Sequence, residues 1–107
     1  MINTEGKQGE KETFGMPSPW IDCYGNRKTG TEGIALMQHP SNEWFPSPWF
    51  TRDYGFISPT PMYWPKDDKA TVLKKGNIIK LRYRILVHGG NTQQAGIARL
   101  YEQYKKE

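Results

Sequence analysis

His39 is one of two histidines in a chain of 107 residues, and it stands in the segment His39-Pro40-Ser41-Asn42-Glu43. An imidazole in such a loop can serve as acid, base or ligand near neutral pH, with Asn42 beside it as a neutral hydrogen-bonding group. Further along, Arg52 brings a guanidinium that suits an anionic or hydroxyl-rich ligand, and Asp53 a carboxylate that can position one. Each residue also has a plainer reading. His39 can be a loop histidine bonded to backbone, and Arg52 with Asp53 a strand-end ion pair contributing under about 1 kcal/mol if exposed. Trp44, Phe45, Trp49 and Phe50 lie between them. Their faces either stack against the C–H side of a sugar ring or fill a core that is short of aliphatics. The catalytic candidates are therefore His39, Arg52 and Asp53. The ligand-binding candidates are Asn42, Trp44, Trp49 and Tyr54.

Other chemistries lack their residues. A metal site needs three or more converging ligands, and two histidines, one cysteine and scattered carboxylates show no ligand spacing, so neither metal nor cofactor is expected. No glycine-rich phosphate loop, nucleophile elbow or paired-cysteine motif is present. His88 directly follows an apolar run and precedes Gly89-Gly90, which reads as a structural strand-end histidine. The net charge is +4, and the densest basic run (Lys74, Lys75, Lys80, Arg82, Arg84) resembles the wet face of one strand, so no nucleic-acid partner is expected. Cys23 has no second cysteine to pair with. No segment approaches the roughly 18 apolar residues of a membrane helix. Met1 to Thr13 has no apolar stretch of the secretory kind, which leaves the compartment open.

The elements that must position these residues read as mainly β. Hydrophobic residues make up 36% and mean hydropathy is −0.81, so aromatic side chains have to supply much of the core. Eleven of the fourteen aromatics and all eight prolines fall between Phe14 and Pro65, which favours short strands and fixed loops over helix. Residues 1–13 read as a mobile lead-in and 14–107 as one β-rich domain. Trp20 to Tyr24 and Ile34 to Met37 form a hairpin across Gly25 to Gly30. The run Ile34 to Met37 joins Trp49 to Asp53 through the His39 loop, which gathers the polar chemistry at one sheet end. Ser58 to Asp68 is an irregular crossing in which Tyr63 and Trp64 cap the sheet. From Asn77 to Val87 a long strand turns Ile79, Leu81, Tyr83, Ile85 and Val87 to the core and Lys80, Arg82 and Arg84 to water. Asn91 and Gln94 have the spacing of a capping box, and Ile97, Leu100, Tyr101 and Tyr104 form the apolar stripe of a helix running to about Lys105.

Several segments together resemble an uncharacterised bacterial family labelled "methane oxygenase PmoA". They are Trp20 to Gly25, Gly33-Ile34-Ala35 leading into His39-Pro40-Ser41-Asn42, Trp49 through Arg52-Asp53-Tyr54-Gly55, and the closing Leu81 to Arg84 with Val87-His88. The resemblance implies a β-rich fold, a sugar-utilisation setting and a chain that is either the C-terminal portion of a longer protein or a shortened member. Members usually carry Asp where this chain has Gln38, so a carboxylate partner for His39 is missing. The expected fold is an antiparallel β-sandwich or half-sandwich with one C-terminal α-helix. The expected function is a carbohydrate-associated binding or accessory domain for a hydroxyl-rich or acidic small molecule. Two alternatives stand beside it: a sugar-processing enzyme fragment with His39 as general acid/base, and a structural half completed by a second copy or a missing N-terminal half.

Overall fold

The computed structural model describes residues 1–62 and 71–107. Tyr63 and Trp64, expected to cap the sheet, lie outside the described residues. Two antiparallel sheets and a C-terminal helical segment make a mainly β fold. Strands β1 (Ile2–Asn3), β2 (Trp20–Arg27), β3 (Gly30–Gln38) and β6 (Tyr83–Gly89) form a sheet in the order β1-β2-β3-β6. Strands β4 (Trp49–Arg52) and β5 (Phe56–Pro59) form a separate ribbon. The short helix α1 (Gly9–Thr13) precedes β2, and α2 (Thr92–Ala95) and α3 (Ile97–Tyr104) close the chain.

The β2–β3 hairpin is the frame. Arg27 pairs with Gly30 across a two-residue turn, Lys28-Thr29, and Gly30 takes a φ of +125° that side chains resist. The register places Trp20 opposite Met37 and Asp22 opposite Ala35. Continued across β3, it places Met37 opposite Arg84 and Ala35 opposite Leu86. Trp20, Ala35 and Met37 share one face, and α3 lays Ile97, Tyr101 and Tyr104 over it, with Phe45 and Leu86 packed at the margin. The opposite face carries Ile21, Cys23, Ile34, Leu36, Ile85 and Val87. The β4–β5 ribbon reaches it where Gly55 and Ile57 line one groove with Cys23, Ile34 and Val87.

The helix begins as its sequence requires. Asn91 accepts from the Gln94 backbone while the Gln94 side chain accepts from the Asn91 N–H, a complete capping box. It does not run unbroken, because Gly96 adopts a left-handed conformation (φ +67°) that ends α2 and starts α3 in a new direction.

Four expectations are corrected here. Residues 1–13, read as a lead-in, carry β1 and α1: Asn3 pairs with Ile21, and Thr13 is buried with its hydroxyl 2.9 Å from that of Thr51. The segment from Ile34 to Met37 is not paired with Trp49 to Arg52. The chain from His39 to Pro48 instead crosses from the main sheet to the ribbon. The expected irregular crossing starts at Ser58, but Ser58 and Pro59 end a strand, Phe56–Pro59, that pairs with β4.

The long strand differs most. It begins only at Tyr83, and Ile85 and Val87 are 68% and 75% exposed, so the expected core face is the open one. Arg84 and His88 are tolerated on the helix side because each meets a partner there. The Arg84 guanidinium lies 4.4 Å from the Tyr104 ring and donates to the Glu107 carboxylate, while His88 Nε2 is 2.6 Å from Asp22 Oδ1. The measurement that separates the two faces is chemical denaturation in dilute solution. Met37→Ala or Ile97→Ala is expected to cost about 2–5 kcal/mol, and Val87→Thr less than about 0.5 kcal/mol. A Val87 variant as costly as a Met37 variant would contradict the assignment.

Candidate functional site

The loop after β3 is shaped by side chains that imitate backbone. Asn42 Nδ2 donates to Arg82 O at 2.8 Å, and Asn42 Oδ1 accepts from Arg82 N–H at 2.7 Å. A side-chain amide thus extends the β3–β6 ladder beyond its last residue pair, and the His39 N–H joins it with a 3.1 Å bond to Arg82 O. Asn42 N–H donates to His39 O and Phe45 N–H to Asn42 O, which closes the turn that presents Phe45.

His39 is 6% exposed, with its ring edge against Tyr104 at 5.1 Å. Arg82 Nη1 lies 3.2 Å from its Nε2, and the Ser41 N–H donates to Nδ1 at 3.1 Å. The Ser41 hydroxyl, 2.7 Å from Nδ1, can donate or accept as the tautomer requires. Donors therefore approach both ring nitrogens, and an imidazolium would have no lone pair for either. Burial lowers the His39 pKa and the Arg82 guanidinium lowers it further, against a smaller opposing pull from Glu107.

Gln38 anchors the other side of the loop and is fully buried. Its Nε2 donates to Ser18 O at 2.9 Å and Ser47 O at 3.1 Å, and its Oε1 accepts from Ser47 N–H at 3.2 Å. Its backbone carbonyl accepts from the Tyr101 hydroxyl at 3.0 Å. Burial is the main cause that pushes the Tyr101 pKa up to about 12, so the hydroxyl stays a donor across the physiological range. A carboxylate in place of Gln38 would face the Ser18 and Ser47 carbonyls with no proton to offer.

The remaining candidates go elsewhere. Arg52 donates to Glu10 Oε1 at 2.7 Å and lies over the rings of Phe14 and Phe50, 4.9 and 4.3 Å from their centroids. Asp53 Oδ1 accepts from Glu10 N–H at 2.8 Å, in the first turn of α1. Trp49 is fully buried, donating from Nε1 to Ser18 O at 2.7 Å, which makes it core. Trp44 takes a positive φ in the turn and sits half-buried in a recess with Ile78 and Ile79. Tyr54 is 82% exposed at the β4–β5 turn. The structure thus joins His39 with Asn42, and joins Arg52 with Asp53 against α1. Among the described residues no group of three or more His, Cys, Asp or Glu side chains is placed to hold a metal, and no helix is long and apolar enough to cross a membrane.

What the loop does form is one wall of a groove of about 560 Å³ against α3. Pro40 and Phe45 come from the loop, Pro19 and Trp20 from the start of β2, and Ala98, Tyr101, Glu102 and Lys105 from the helix, with Thr4 at one end. Glu102 and Lys105 form an exposed ion pair of 2.6 Å at its lip. Sequence reasoning placed Tyr101 on the helix stripe and Trp20 on a strand, but nothing in the pattern showed that they meet Phe45. A second polar cluster, also missed, joins three elements: buried Asp22 accepts from His88 Nε2 and, at 2.6 Å, from the Thr92 hydroxyl. Gly33 has no Cβ there because one would sit 2.8 Å from the His88 ring.

Residues 1–102 match DUF6807, a family of unknown function, and the chain belongs to that family. No curated protein matches the chain, and no solved structure does. The resemblance to the "methane oxygenase PmoA" family is overturned, since the match over nearly the whole chain is to DUF6807 and nothing in it points to that family. The segments behind the resemblance are two to seven residues long, and some of their side chains here serve the fold: Asn42 the ladder, Arg52 the α1 contact. The sugar-utilisation setting inferred from it loses its support.

Two outcomes follow from this geometry. Gln38→Glu is expected to cost more than about 2 kcal/mol in denaturation, because it turns a donor into an acceptor facing two carbonyls; a neutral effect would contradict the hub. For His39 the native pKa is lowered, so the stabilisation is complete above the ordinary histidine value of about 6.5 and is lost as pH falls below it through the lowered native value. Denaturation between pH 7.5 and 5.5 should show the wild type losing stability, with a smaller loss in His39→Gln. Equal slopes in the two proteins would refute the assignment.

Proposed function

We propose that this DUF6807 member is a binding module that holds a small hydroxyl-bearing ring, of the carbohydrate kind, in the groove between the His39 loop and α3. The observation that carries the reading is the groove's lining. Phe45, half-buried, offers the aromatic surface, backed by Trp20 and Tyr101, which are largely buried beneath it, and the Glu102–Lys105 pair offers an acceptor and a donor beside it. Aromatic faces pack against the C–H side of a ring while charged groups at the edge take its hydroxyls. A volume of about 560 Å³ lies within the ordinary range of small-molecule sites.

His39 and Asn42 act in this reading as positioning residues, since their hydrogen bonds hold the loop that presents Phe45. The buried, doubly occupied imidazole favours binding over proton transfer, which needs a ring nitrogen within reach of a substrate. The involvement of Arg52 with Glu10 likewise favours a neutral ligand over an acidic one.

Calorimetric or ligand-observed NMR titration with neutral mono- and disaccharides, and with uronic acids for comparison, tests the reading. Neutral sugars are expected to bind at millimolar concentration. Phe45→Ala should weaken them by about 1 kcal/mol, roughly fivefold in Kd, and Glu102→Ala should also weaken them. The absence of any millimolar binding, or binding that ignores both substitutions, would reject the groove as the site.

A further inference from the structure

The outer edge of β6 combines two features on the same residues. His39 N–H bonds Arg82 O and Gly90 N–H bonds Thr31 O, which fixes the phase of the β3–β6 ladder. Arg84, Leu86 and His88 therefore direct their backbone groups to β3, and Tyr83, Ile85 and Val87 direct theirs away from it. In the sheet order β6 is the edge strand. Ile85 and Val87 also carry exposed apolar side chains. Native edges are usually blunted by charge or proline, and this outward row has neither.

We infer that β6 is a self-pairing edge, whose occupant is the β6 strand of a second copy of this chain in antiparallel, two-fold register about Ile85. That register sets Ile85 opposite Ile85 of the second copy and Tyr83 opposite its Val87, so that each outward N–H and C=O meets its complement. The charges favour this centre over the adjacent one at Arg84. Arg84 comes to face Leu86 of the second copy, whereas a two-fold axis through Arg84 would set the two guanidiniums directly opposite each other. The Arg84 side chain is moreover held on the helix side by Glu107 and Tyr104, away from the pairing face. The result is one sheet running through both copies, with Ile85 and Val87 covered across the two-fold axis. This inference does not depend on the groove against α3, which lies on the opposite face of the sheet.

The test uses the whole chain in sedimentation equilibrium with charge reversal across the axis. The wild type is expected to reach twice the 12.4 kDa chain mass as concentration rises. Ile85→Lys and Ile85→Glu each place like charges opposite each other, so each alone should be monomeric, and an equimolar mixture should restore the dimer. Circular dichroism checks that both variants fold, which the exposure of Ile85 favours. In the wild type the Ile85 and Val87 amide protons should exchange more slowly with increasing concentration, a readout that needs no variant. A wild type that stays monomeric to millimolar concentration would overturn the proposal. Dimers that persist in both variants, or a mixture that fails to pair, would overturn it equally.

Discussion

The buried Gln38 amide is the contact on which the rest of this molecule depends. It closes β3 at the point where the chain leaves the main sheet, and it binds the two segments that flank the crossing, at Ser18 and Ser47. Three good hydrogen bonds on a side chain with no exposure satisfy it almost fully, which is the condition for burying an amide without penalty. Its backbone carbonyl receives the Tyr101 hydroxyl, so the same residue also registers α3 against the sheet. One residue later the ladder continues through Asn42 instead of a further strand residue. The loop therefore stands as a wall because polar groups on both sides hold it, and its apolar side chains are left to line the groove.

Histidine placement follows from the same economy of partners. His39 is enclosed by donors that disfavour its charged form, while His88 meets a buried carboxylate that Thr92 completes. Both fasten elements that are distant in sequence: His39 ties the loop to Arg82, and His88 ties β6 to β2. A small sheet with little aliphatic core gains much of its specificity from such buried polar clusters.

Much of the fold was legible from local chemistry. The β2–β3 hairpin, the Asn91 capping box and the stripe of Ile97, Tyr101 and Tyr104 all arise from neighbours within a few residues, and each is present. The face of β6 was not legible, because its pattern looked apolar on one side while the helix side held Arg84 and His88. Their presence near the core depends on Glu107, Tyr104 and Asp22, which lie at sequence separations of 20 or more and are brought in by sheet register and by the packing of α3. The candidate site divides in the same way. His39, Asn42 and Phe45 could be singled out because they share one loop, whereas Trp20, Glu102 and Lys105 join it only through tertiary packing. The partner of Arg52, Glu10, was not legible, because it lies in a segment whose polar composition hid a helix.

The central claim is that side-chain amides, in place of strand pairing, hold the loop wall as firmly as the sheet it extends. Native-state hydrogen exchange measures this most directly, residue by residue. The account predicts that the Ser47 amide, bonded to Gln38, and the Arg82 amide, bonded to Asn42, are protected to the same degree as the ladder amides at the centre of β2 and β3. Exchange of these two amides at the rate of exposed loop residues, with the β2–β3 ladder still protected, would contradict it.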